Sequence, residues 1–130
     1  MKKVAAGLLV FALSTSFLSA YTQEERIQDM KAMEIAMSQI QKGIIYNDKE
    51  AVLLGVKNLK EVASKVEIAP KTAMDYSSYF AKKQSTNIIK FADKIKTKIE
   101  AGRKHGAAAN YTKVLDQCIS CHNKIRKWGQ

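Results

Sequence analysis

The stretch AAANYTKVLDQCISCHNKIRKW, residues 107–128, contains no glycine or proline, and its apolar side chains recur at helical spacing. Tyr111, Val114, Leu115, Cys118, His122 and Ile125 fall three or four residues apart, which aligns them along one side of an α-helix. Gly129 follows as a natural stop.

Working outward, three more segments read the same way. The first opens at Thr22, with Glu25 at capping-box spacing. Ile27, Met30, Met33 or Glu34, Met37, Ile40 and Ile44 form its apolar face, and Gly43 is its expected terminator. The second starts at Asn47, with Glu50 three residues on. Its face is Val52, Val56, Leu59, Val62 and Val66, and Pro70 breaks it. The third begins near Thr72 and carries Tyr76, Tyr79, Phe80, Ile88, Phe91, Ile95 and Ile99, closing over Gly102 to Gly106. No strand pattern, repeat or low-complexity segment is present. Four amphipathic helices with short links predict an all-α, antiparallel up-down-up-down four-helix bundle. The Lys-rich run from Lys90 to Lys104 reads as the solvated face of the third helix.

Residues 1–20 stand apart from this pattern. Lys2 and Lys3 precede an uncharged, mostly apolar stretch from Val4 to Leu18, and Ser19 and Ala20 suit a peptidase. This is the layout of a secretory signal cleaved after Ala20, and the apolar stretch is short against the ~20 residues a membrane span needs. The domain is then residues 21–130, exported to the periplasm, with no stable membrane insertion. The chain has 22 Lys and Arg against 12 Asp and Glu. Without Lys2 and Lys3 the balance is 20 to 12. Export argues against nucleic acid, so the charge points to acidic partner proteins or anionic surfaces.

The only two cysteines occur as Cys118-Ile119-Ser120-Cys121-His122. On a helix, positions i, i+3 and i+4 share a face, so both sulfurs and the imidazole point the same way. Each thiol can add across one haem vinyl group while the imidazole reaches the iron, which is the attachment pattern of a c-type haem. The competing readings fit less well. A zinc site would need a His-x(3–5)-His pair, and none exists. A dithiol oxidoreductase sets its cysteines at a helix start in a strand-helix fold. A disulfide within one helical turn closes too small a loop to stabilise much.

With this motif so near its C-terminus, the chain resembles the class II c-type cytochromes, the cytochrome c-prime family. The motif there continues to an aromatic residue and Arg. Here those positions are Ile125 and Arg126, so the aromatic one is changed. The resemblance implies a four-helix bundle around one covalently bound haem c. The family often shows Arg four residues before the residue facing the sixth iron position, and Arg26 and Met30 have that spacing. Alignment backward from Lys42-Gly43 instead brings Ile27 to face the iron, leaving it five-coordinate.

Helical rise sets Met30 about 12 Å above Thr22, Ile27 about 7.5 Å and His122 about 9 Å above Trp128, so height alone does not separate Met30 from Ile27. Ile has no donor atom. Met33 is the second candidate among the methionines and Met37 a poor one. His105 lies about 25 Å along the helix from His122 and reads as a surface residue. Arg26 and Arg126 suit haem propionates, and Tyr79 and Phe80 suit the pocket wall. Met and His ligands favour electron transfer. The expected protein is therefore a periplasmic mono-haem electron carrier working with acidic redox partners, and self-association as a homodimer is compatible with it. The alternative is a five-coordinate protein binding nitric oxide or carbon monoxide. No distal acid–base pair supports a peroxidase, so no enzymatic activity is expected.

Overall fold

The computed structural model describes residues 22–66 and 78–125. Residues 1–20, expected to be a cleaved signal, and Pro70, Thr72, Tyr76, Arg126, Trp128 and Gly129 lie outside them. Four helices make up the fold: α1 (Gln23–Tyr46), α2 (Lys49–Lys65), α3 (Ser78–Glu100) and α4 (Lys104–Ile125). Among the described residues there is no strand.

Local chemistry fixes the helix ends. Thr22 caps α1 in a full capping box. Its N–H donates to Glu25 Oε2 at 2.7 Å, and the Glu25 N–H donates to Thr22 Oγ1 at 3.1 Å. The Thr22 backbone N–H, and after it the Thr22 hydroxyl, hold the Glu25 carboxyl below its ordinary range. The far end of α1 corrects the sequence reading. The helix runs through Gly43 and stops at Asn47, which adopts the left-handed conformation with φ 60°. The cap of α2 is Asp48, whose Oδ1 accepts from the Ala51 N–H at 2.9 Å; Asn47 belongs to the turn.

Gly43 is there for packing. A Cβ at this position would lie 2.6 Å from Val52 Cγ2 and 2.8 Å from Asp48 O. Gly55 answers it from α2, where a Cβ would meet Ile40 Cγ1 at 2.8 Å. The two glycines let α1 and α2 approach more closely than side chains would allow. A buried small residue in a helix interior leaves the same mark in a sequence as a terminator.

The α3–α4 turn closes on Gly102, with φ 70°. Gly102 N–H donates to Ile99 O at 3.0 Å and Arg103 N–H to Lys98 O at 2.8 Å, the paired bonds of a Schellman cap. Gly106 is not part of this closure. It lies inside α4, which starts at Lys104 rather than near Ala107, and the Lys98 stem lies over it.

Contacts across the bundle run antiparallel. Lys60 pairs with Asp93, and the Ser85 hydroxyl donates to Ala63 O, between α2 and α3. Asn87 Nδ2 donates to Gln117 Oε1 at 3.0 Å between α3 and α4. Between α1 and α4, Lys104 reaches Asn47, and Tyr111 OH reaches Gln41 Oε1 at 3.4 Å. Packing is therefore up-down-up-down, as the short links predict. Ile40, Val52, Val56, Leu59, Ile95 and Val114 are fully buried and supply the core from all four helices. The adjacent pair α1 and α4 touches least.

Candidate cofactor site

Of the neighbouring helices α1 and α4 touch least, and the motif of α4 lies on the side turned toward α1. Tyr111, Leu115, Cys118 and His122 recur at four, three and four residues, forming one stripe. Tyr111 meets Gln41 on α1, so this stripe faces α1. Gln41, Met37, Glu34, Met30 and Ile27 form the matching stripe on α1. In antiparallel helices, equal steps away from a contact stay level. Eleven residues from Gln41 is Met30, and eleven from Tyr111 is His122. Both sit about 16 Å along their helices from that contact. The Asn47–Lys104 contact gives the same register to within one residue. By the same counting, Ile27 is level with Ile125.

Burial separates the methionines. Met33 and Met37 are buried in the core at 7 % and 8 % exposure, whereas Met30 is half-buried at its edge. Cys118 is also half-buried against the core, Cys121 is half-buried, and His122 is exposed. Ile27, Leu115 and Ile119 are exposed at 41 %, 43 % and 47 %, so this end of α1 and of α4 carries large apolar side chains that the described residues do not cover. Tyr79, expected in the pocket wall, is exposed at 75 %; Phe80 is half-buried beneath the Lys124 ammonium. Arg26 is half-buried one turn before Met30. His105 is exposed at the start of α4. Arg126 lies outside the described residues.

Burial pushes both thiols above their ordinary value of 9.0. For Cys118 a backbone hydrogen bond opposes the shift, and the charge of a Cys121 thiolate would add to it. Burial, and then the Cys118 charge, likewise raises the Tyr111 phenol. Thiols held neutral late in a helix are the opposite of the acidic, helix-start thiols of a dithiol oxidoreductase. Among the described residues, no three His, Cys, Asp or Glu side chains gather so as to hold a bare metal ion.

One polar group in this region escaped the sequence reading. Gln84 of α3 is buried at 9 % exposure, and among the described residues its Oε1 has no hydrogen-bond partner. Asn87 on Gln117 and Phe80 beneath Lys124 bracket it, so Gln84 lies level with Ser120 and Cys121. An orphaned acceptor at the height of the motif fits a site that protein atoms alone leave incomplete. Its only trace in the sequence is a polar residue falling on the apolar stripe of Ile88, Ile95 and Ile99. Among the described residues, no helix is long and apolar enough to cross a membrane. No protein-family model, no curated protein and no solved structure matches the chain.

Proposed function

We propose that this chain is an exported, periplasmic mono-haem c-type cytochrome that carries single electrons. Cys118 and Cys121 would hold the haem covalently, and His122 and Met30 would bind its iron. The observation that carries the reading is the register of α4 against α1. The Cys-x-x-Cys-His stripe faces α1, and a thioether-bearing side chain of α1 lies level with the imidazole. Ile27 lies about one turn lower and has no donor atom.

Each residue then has a task. The two thiols would anchor the haem through thioether bonds. The haem so bound supplies a one-electron couple at its iron. His122 and Met30 would tune that couple, the neutral thioether favouring the reduced state. Ile27, Leu115 and Ile119 find cover and keep water from the centre. The basic surface attracts acidic redox partners.

The test is expression with a c-type haem maturation system, followed by a denaturing gel stained for haem. The native chain retains stain, and a Cys118→Ala, Cys121→Ala chain does not. Stain surviving the double change would end the proposal.

A further inference from the structure

The basic charge of the chain is concentrated on one side. α3 and α4 together carry nine Lys against three carboxylates, while α1 carries four carboxylates against three cations. Both carboxylates of α3 are engaged away from α4, Asp93 with Lys60 of α2 and Glu100 with Lys96 at 3.9 Å. Lys83, Lys90 and Lys94, seven and four residues apart, remain exposed along one stripe.

α4 adds to this stripe. Its Lys113 reaches over the Phe91 ring at 5.7 Å from the centroid, with Lys94 on the same ring at 5.6 Å. Lys124 lies 4.7 Å from the Phe80 centroid. Five ammonium groups thus gather on the α3–α4 seam, with Asp116 as the only carboxylate of α4. From Lys83 to Lys94 the seam extends about 16 Å. Lys113 and Lys124 also bracket the Cys118–His122 motif on the same helix. A body held on the seam therefore lies one helix diameter, about 10 Å, from the motif stripe.

We infer that the α3–α4 seam is the docking surface for an acidic face of a redox partner protein. This rests on the reading of Cys118–His122 as a haem site. The partner presents carboxylates along a similar length, and a single electron passes between the two, oxidising one and reducing the other. The seam suits a protein better than a bilayer. Phe80 and Phe91 are half-buried and covered by ammonium groups, so they offer no apolar wedge for insertion.

The experiment uses the haem-loaded protein and a reduced flavodoxin of net negative charge as the probe, mixed by stopped flow over a range of salt. Lys83→Glu, Lys90→Glu and Lys94→Glu together form the seam variant. Lys31→Glu, Lys42→Glu and Lys57→Glu, exposed on α1 and α2, make the same change in net charge elsewhere. The seam variant should lose about tenfold or more in second-order rate, along with most of its salt dependence, while the α1–α2 variant keeps both. A Lys→Gln set at the seam should fall between. Equal losses in the two Glu variants would overturn the docking surface and leave only net charge. So would seam-dependent binding to phosphatidylglycerol vesicles with an unchanged flavodoxin rate. If no variant, nor the native chain, is reduced even by a small neutral hydroquinone, the haem reading itself has failed.

Discussion

The Tyr111 hydroxyl donates to Gln41 Oε1 across 3.4 Å, and this contact sets the height at which α1 faces α4. Stepping eleven residues along each helix toward the same end makes Met30 and His122 a level pair. The sequence offered two readings for the α1 side, Met30 from its spacing to Arg26 and Ile27 from alignment at Lys42-Gly43. The proposal takes Met30, because counting from that contact sets it level with His122.

Met30→Ala should therefore convert a low-spin, six-coordinate ferric spectrum to a high-spin one. The variant should bind carbon monoxide without displacing a ligand, and its potential should fall. Met37→Ala should cost about 2–5 kcal/mol of stability, because that side chain is buried in the core, and leave the spectrum alone. Absorption spectra with and without carbon monoxide, and a denaturant titration, check both. A native chain already high-spin would put Ile27 opposite an open iron position and favour gas binding.

The two interlocked glycines yield a stability prediction. Gly43→Ala and Gly55→Ala each place a methyl within 3 Å of the facing helix, and each should cost about 1–3 kcal/mol through overpacking. Gly102→Ala meets no atom within 4 Å, but its φ of 70° should still cost about 1–2 kcal/mol. Urea midpoints measure all three. A neutral Gly43→Ala would mean that α1 and α2 do not approach as closely as described.

These glycines also mark where the sequence was legible. Four helices and their antiparallel order were readable because the apolar residues repeat every three or four positions over long runs. The ends were less so. Gly43 and Gly106 look like terminators but serve close packing, while the actual α1 stop is Asn47, whose left-handed turn no periodicity announces. At the site, the proposal for Cys118, Cys121 and His122 rests on their spacing, and the structure adds that both thiols are half-buried on α4. Neither the exposure of Tyr79 nor the orphaned oxygen of Gln84 could be read, because both depend on how α3 is rotated against α4.

The raised thiols make the haem-free chain sensitive to alkali. A buried thiol is better tolerated neutral, so the folded state holds its proton to higher pH than the unfolded state does. Stability is then full below the ordinary thiol value of 9.0 and falls as pH rises through the raised values, with the raised Tyr111 extending the loss. Cys118→Ala, Cys121→Ala should remove the first part of that decline, as should thioether formation. Thermal melts from pH 7 to pH 11 follow it, and identical alkaline profiles for native and double-variant apoproteins would contradict the burial of the thiols.

The most direct measurement is the intact mass, under denaturing conditions, of the protein recovered from the periplasm of cells with a c-type haem maturation system. The account predicts a polypeptide of residues 21–130 carrying the mass of one haem, which stays attached because two thioether bonds hold it. The same polypeptide without that added mass, under conditions where a control cytochrome is fully loaded, would contradict the central claim.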